Sequence, residues 1–260
     1  KGRVFHAGGR VVKNVAGYDL CRLLIGAEGK LGTLRQLTFK LKPLPAEKHL
    51  SIAAFRTLKD LDAALERINL SSTTPVILDV VNHVAAEKLL PCIDSSMTTG
   101  RLSGTDAFLV LGFDGSRKAC DWQAKMIADE LRGMACSITT VAKPQAMTDY
   151  CRAAIEFSET GKDSAMSGWA KVVTSPSQVI AVMQIAKDSG LSVCGRAGNG
   201  ILYMPLDTAD DTGKVRDRLT KLVDGGAGYF EIREQNLTWR HPVTTALVER
   251  YSKLLNELLG

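Results

Sequence analysis

Two hydrophobic periods run through the chain, and the switch between them outlines its elements. From Leu37 to Lys42 the apolar Leu37, Phe39 and Leu41 alternate with Thr38, Lys40 and Lys42, the period of two expected of a half-buried strand. Pro43 and Pro45 end that run and mark a domain boundary. Beyond it a strand is predicted at Leu50–Phe55, and Thr57 then caps a helix whose Leu58, Leu61, Leu65 and Ile68 recur at spacings of three and four. Further strands are predicted at Pro75–Val80, Phe108–Phe113, Ser137–Val141, Trp169–Val173, Leu191–Cys194, Ile201–Met204 and Gly228–Ile232. Helices are predicted over 116–133, from Ser175-Pro176 to Gly190, and over 210–223. Strands alternating with amphipathic helices predict an α+β domain with a mostly antiparallel sheet covered by helices, as in ferredoxin-like units. No sequence repeat is clear. At the ends, short strands are predicted at Arg3–His6 and Arg10–Val12, a helix capped by Asp19 runs to Gly26, and Leu247–Leu259 forms a last helix with Pro242 in a capping position.

Before the boundary the glycines crowd, at positions 8, 9, 17, 26, 29 and 32. Each weakens regular structure by roughly 0.5–1 kcal/mol relative to alanine, so bare backbone must be required there. Two causes can act together: positive φ in tight turns, and close approach of main chain to a large flat ligand.

Within this stretch Lys13-Asn14-Val15-Ala16-Gly17-Tyr18-Asp19-Leu20 is followed by Arg22-Leu23 and then Gly26, Gly29, Leu31 and Gly32. This order resembles the end of the FAD domain in the FAD-linked oxidases of the vanillyl-alcohol oxidase (PCMH-type) family, with wording nearest to the FAD-binding E-type subunit of bacterial glycolate oxidase. The resemblance implies that residues 1–45 are the C-terminal part of an FAD-binding domain and that residues 46–260 are the family's second, substrate or cap domain. It also implies that the FAD domain begins further upstream and that the tail continues beyond the last helix.

The resemblance places non-covalent FAD against Asn14, Gly17 and Tyr18, with the main chain at Gly29, Leu31, Gly32 and Leu34 along the nucleotide. Chemistry agrees with that placement. Asn14 offers a donor and an acceptor to the mixed edge of an isoalloxazine, Gly17 lets the chain pass close to the ring, and Tyr18 can pack on it or hydrogen-bond to it. Other nucleotide signatures fail: no Gly-x-Gly-x-x-Gly follows a strand, and Gly29-Lys30 has Leu24 where a phosphate loop needs glycine.

A second motif, Gly195-Arg196-Ala197-Gly198-Asn199-Gly200-Ile201-Leu202-Tyr203, is similar to the place where catalytic 2-hydroxy-acid dehydrogenases of the superfamily carry two histidines. Here Arg196 and Tyr203 stand instead. Neither replaces a neutral imidazole as base or metal ligand, so no metal is expected. Arg196 is a candidate for a substrate carboxylate, which its forked guanidinium matches, with a structural ion pair as the alternative. Tyr203 is the second substrate candidate. No catalytic base is identified. The histidines at 6, 49, 83 and 241 show no ligand spacing.

Composition narrows the classes. A chain of 260 residues, 45% hydrophobic, can bury a real core. A net charge of +5 with interspersed signs argues against nucleic acid. The 6 cysteines include no Cys-x-x-Cys pair, which argues against a zinc ribbon or iron–sulfur cluster. No apolar run reaches the ~18–20 residues that span a bilayer, and no leader is visible, so a soluble cytoplasmic protein is expected. The resemblance implies an FAD-dependent oxidoreductase subunit that oxidises a small 2-hydroxy acid such as glycolate. Electrons would pass to a partner, with another flavoprotein subunit and an iron–sulfur subunit as expected companions. The alternative is a non-catalytic accessory subunit of such a complex.

Overall fold

A computed structural model gives the arrangement of residues 4–9, 20–27, 29, 31–93, 104–159, 168–206, 209–224, 228–234, 237–240, 249–250, 253 and 257. The chain falls into two units, Lys1–Pro43 with Pro242–Gly260, and Leu44–His241.

In the first unit, α1 (Leu20–Leu24) is the short helix expected before Gly26. The Ile25 N–H donates to the Cys21 carbonyl at 3.2 Å, and Gly26 then turns the chain with φ at 78°. The predicted cap Asp19 and strand Arg10–Val12 lie outside the described residues, as does most of the last helix; residues 249, 250, 253 and 257 of it are helical. Two strand expectations are corrected. Residues 4–6 and 37–42 carry no regular structure, and Leu37, Phe39 and Leu41 are 57%, 76% and 87% exposed. Alternation specifies which face a strand would bury, but a strand exists only through hydrogen bonds to a neighbour, and none pairs with this run among the described residues.

The second unit begins with strand β1 (Glu47–Phe55) and shows how locally its helices are coded. The Thr57 hydroxyl accepts the Asp60 N–H at 3.1 Å and opens α2 (Leu58–Asn69); four of its five buried residues are the Leu58, Leu61, Leu65 and Ile68 stripe. Each such leucine or isoleucine contributes roughly 1.5–3 kcal/mol by leaving water. The chain continues as β2 (Ile77–Asn82), α3 (His83–Leu89), β3 (Ala107–Gly115), α4 (Arg117–Glu130), β4 (Ser137–Val141) and α5 (Pro144–Glu159). Then follow β5 (Gly168–Thr174), α6 (Val179–Asp188), β6 (Cys194–Arg196), β7 (Ile201–Leu206), α7 (Ala209–Leu222), β8 (Gly228–Glu234) and β9 (Leu237–Arg240).

All of these strands join one nine-stranded sheet in the order β4-β1-β3-β2-β6-β7-β5-β8-β9, and every neighbouring pair is antiparallel. The order contains a repeat that the sequence conceals. The run β1-α2-β2-β3-α4-β4 gives strand order 4-1-3-2, and β5-α6-β6-β7-α7-β8 gives the same order in reverse. These are two ferredoxin-like units fused through their second strands, β2 against β6.

Asn82 holds that fusion. Its side-chain carbonyl accepts the N–H groups of Ala85 and Val193, both at 3.0 Å, and its amide donates to the Leu191 carbonyl at 2.7 Å. Its own N–H donates to the Val193 carbonyl at 3.1 Å. One buried side chain therefore caps α3 and fastens the second repeat to the first. It also explains why β6 starts later than the predicted Leu191–Cys194, since Leu191 to Val193 are engaged by this amide and by the end of α6.

One face of the sheet is apolar throughout and is closed by α2, α4, α6 and α7, with Phe55, Leu109, Leu111, Val172, Leu202 and Phe230 among its buried residues. On the other face α3 and α5 cover Leu50, Ile52, Val81, Phe108 and Val110. The sequence analysis does not anticipate α3, α5 or β9. Trp239 and Arg240 lie in β9, while His241 and the expected capping residue Pro242 are outside the described residues.

Asn82→Ala should cost about 3 kcal/mol, because it removes the α3 cap and strands the buried Leu191 carbonyl and Val193 N–H. Urea denaturation measures it; a loss below about 1 kcal/mol would show that the seam does not need the amide.

Candidate functional site

The Gly195–Tyr203 motif forms the hairpin β6-turn-β7, and its glycines answer to backbone geometry. Gly200 is left-handed, with φ at 66°, and a Cβ there would collide with the Thr174 carbonyl. A Cβ on Gly195 would collide with Ile201 and Leu202 of the facing strand. Between them Ala197–Asn199 makes a single 3₁₀ turn, and the Gly200 carbonyl accepts the Thr174 N–H at 2.9 Å. The turn is thus held by β5 as well as by its own strands.

This hairpin presents Arg196 and Tyr203 on one sheet face. Arg196 pairs with Asp79 of β2 on one side and Ile201 of β7 on the other. Tyr203 pairs with Cys194 and with Lys171 of β5. Directly paired residues share a face, and residues two apart on a strand do too. The row therefore runs Asp79, Arg196, Tyr203, Lys171 and on to Glu231 of β8.

Aromatic and ionic contacts tie the far end together. The Trp169 ring lies 6.2 Å from that of Tyr203 at a tilt of 55°, and the Arg233 guanidinium sits 5.0 Å above Trp169. The Arg233 Nε donates to the Glu231 carboxylate at 2.8 Å. Trp169 and Glu231 are buried, whereas Arg196 is exposed and Lys171, Tyr203 and Arg233 are half-buried. The result is a sheet face with three cations among aromatic rings. Sequence reasoning missed Trp169, Lys171, Glu231 and Arg233. Their signal was the alternation Trp169-Lys171 and Glu231-Arg233 within the strands, which by itself also describes a plain solvated face.

At the edge of the α5-covered area the polar row goes underground. Asp79 is buried, and the hydroxyl of the fully buried Tyr150 donates to its Oδ2 at 3.1 Å. Burial pushes the Asp79 carboxyl up to about 6, while the Tyr150 hydrogen bond and the Arg196 charge pull it back. Burial, with Cys194 and Asp79 adding to it, drives the Tyr150 hydroxyl well above the usual phenol range. Burial also raises the Cys194 thiol, so it stays protonated and inert at neutral pH.

The first unit supplies the flavin candidates. Asn14, Gly17 and Tyr18 lie outside the described residues. Gly29 sits in a turn with φ at 75°, Leu31 is half-buried, and Gly32 and Leu34 are exposed. Gly32 has neither a positive φ nor any protein atom within 4 Å of an added Cβ. Among the described residues nothing requires it to be bare. The histidines serve elsewhere: His49 is buried 3.6 Å from Asp121, His83 lies 3.8 Å from Glu87, and His6 is exposed. No group of three or more His, Cys, Asp or Glu able to hold a metal occurs among the described residues.

No family model matches the chain. It is 29% identical over 238 residues to the glycolate oxidase subunit GlcD of Bacillus subtilis (strain 168), an alignment covering 88% of this chain and 49% of that protein. The chain thus spans about half the length of that relative. It is 50% identical over 44 residues to the glycolate oxidase subunit GlcE of Escherichia coli (strain K12), covering 17% and 13% of the two chains. A D-lactate dehydrogenase of Anaerostipes hadrus is 28% identical over 117 residues, covering 44% and 25%. Among solved structures, an alkyldihydroxyacetonephosphate synthase superposes with a TM-score of 0.52 at 16% identity, over 82% of this chain and 45% of that one, a likeness of fold.

Asp79 sets a pH dependence whose sign is definite. The folded chain keeps its proton up to about 6, whereas a free aspartate releases it near 4, so between those values the folded state binds more protons and stability falls as pH rises. Asp79→Asn retains an acceptor for the Tyr150 hydroxyl and removes the buried charge. It should stabilise the protein by about 2–3 kcal/mol at pH 7.5 and by little at pH 4.5. Equal effects at both pH values in urea denaturation would refute the assignment.

Proposed function

We propose that this chain, a member of the FAD-linked oxidase family, is part of an FAD-dependent oxidoreductase subunit that oxidises a small 2-hydroxy acid of the glycolate or lactate kind. The observation that carries this reading is the 238-residue similarity to a glycolate oxidase subunit, whose aligned region includes most of this chain. The exposed Arg196 and half-buried Lys171 on one sheet face support it, since a carboxylate substrate needs a cation.

In this reading residues 1–45 end the FAD-binding domain and residues 46–260 form the substrate domain. The bare main chain at Gly29, Leu31, Gly32 and Leu34 lies along the nucleotide of non-covalently held FAD, with Asn14, Gly17 and Tyr18 toward its ring. When bound, FAD supplies the acceptor for a hydride from the substrate carbon. Arg196 takes the substrate carboxylate in a forked pair, and the Tyr203 hydroxyl orients the substrate's hydroxyl. Electrons then leave to a partner, with an iron–sulfur subunit and a second flavoprotein subunit as companions in the complex. Among the described residues no helix is long and apolar enough to cross a membrane, and we place the protein in the cytoplasm.

A second reading has its own support. Arg196 and Tyr203 occupy the hairpin positions where, by resemblance, catalytic relatives carry histidines, which favours a non-catalytic accessory subunit.

The spectrum of the purified chain after incubation with FAD and removal of free cofactor separates these readings. A retained flavin band that glycolate or D-lactate bleaches supports the enzyme; a retained band that neither bleaches supports the accessory subunit. In the enzyme, Arg196→Gln should raise the half-saturating substrate concentration about 10- to 100-fold, the worth of one charged hydrogen-bonded pair. No change would remove Arg196 from the substrate site.

A further inference from the structure

Asp79 is a carboxylate in an expensive place. It occupies the seam between the two repeats, and its backbone partner across that seam is Arg196. A valine or leucine would suit the neighbouring core better, because the paired residue on β3 is Val110 and the next residue on this face of β2 is Val81, both buried. Two groups answer the Asp79 charge. From α5 comes the Tyr150 hydroxyl at 3.1 Å, and from β6 comes the Arg196 guanidinium, close enough to stabilise the carboxylate without a direct ion pair. The remaining polar groups at this corner are Cys151 of α5, Cys194 of β6 and, near Cys151, Lys48 of β1. Among the described residues, Asp79 thus has the buried Tyr150 hydroxyl as donor beneath it and the exposed Arg196 as the cation across the seam.

We propose that Asp79 and Tyr150 tune Arg196 from beneath: the carboxylate partly offsets the guanidinium charge across the β2–β6 seam, and its protonation removes that offset and frees Arg196 for an incoming carboxylate. The proposal rests on the reading of Arg196 as the substrate's carboxylate anchor. Tyr150 sets where on the pH scale the release occurs, because its hydroxyl favours the ionised form of Asp79. The burial that places the Asp79 transition at about 6 puts it within a range where solution pH can act.

Two readouts test this on the whole chain, with glycolate as the anion probe. Calorimetric affinity for glycolate should rise about 3- to 10-fold from pH 7.5 to pH 5 in the wild type, one partly offset charge being worth roughly 1 kcal/mol. In Asp79→Asn it should be flat and already high at pH 7.5. The Asp79 carboxyl, followed by its ¹³C shift, should titrate about half a unit or more higher in Arg196→Gln and in Tyr150→Phe, while the pH dependence of glycolate affinity is the readout that a purely structural pair would not move. An Asp79 midpoint unchanged by Arg196→Gln overturns the coupling whatever glycolate does. Glycolate binding that needs Arg196 yet keeps its pH dependence in Asp79→Asn overturns it too. Absence of glycolate saturation at both pH values, with the Asp79 midpoint still moving, overturns the anchor reading of Arg196 and with it the release of that anchor.

Discussion

The Asn82 amide is the constraint on which the rest of the second unit depends. Two four-stranded ferredoxin-like sheets meet through only three paired positions, Asp79 with Arg196, Val80 with Gly195 and Val81 with Cys194. So short a ladder leaves register weakly specified, and a slip of one residue would turn Arg196 to the helix-covered face. Asn82 removes that freedom by using donor and acceptor together on Leu191 and Val193, immediately before β6. Gly195 adds a steric condition, since only a residue without Cβ lets β7 approach. Position of the candidate site is therefore decided at the seam.

With register fixed, the sheet's two faces take different characters. One is closed by the four crossover helices and is apolar, as the fold demands of any sheet that must bury a face. The other changes along its width, from the core under α3 and α5 to a row of cations and aromatic rings on β5 to β8. Asp79 and Tyr150 stand where these regions meet. Their buried hydrogen bond favours the ionised form of Asp79, whose partner across the seam is the candidate binding residue Arg196.

Glycines show how far sequence reasoning reaches. The crowding before Pro43 signalled special backbone at Gly8, Gly26 and Gly29, which take positive φ, whereas Gly32 shows neither a positive φ nor a close contact. The Gly195–Tyr203 motif was legible as a motif, but Gly195 and Gly200 proved to be requirements of a hairpin and of the β5 contact. That leaves Arg196 and Tyr203 as its candidate binding residues. Conversely, the alternation of Leu37, Phe39 and Leu41 was as clean as any in the chain and forms no strand, because periodicity describes a face and not a partner.

The sequence by itself determined what short-range chemistry can determine: the Thr57 cap and stripe of α2, which residues of the strands share a face, the turn at Gly26, and the resemblance carried by residues 8–34. Each of these is settled by residues within about one turn or one pleat of one another. Tertiary structure alone decided the reversed repeat, the fusion of β2 to β6, and the gathering of Asp79, Tyr150, Arg196, Lys171 and Arg233. Those residues are separated by as many as 154 positions, from 79 to 233, and no local preference encodes their meeting. Antiparallel pairing with a period of two brings the four strand residues onto one face once the Asn82 seam has set the register, and α5 carries the Tyr150 hydroxyl to Asp79.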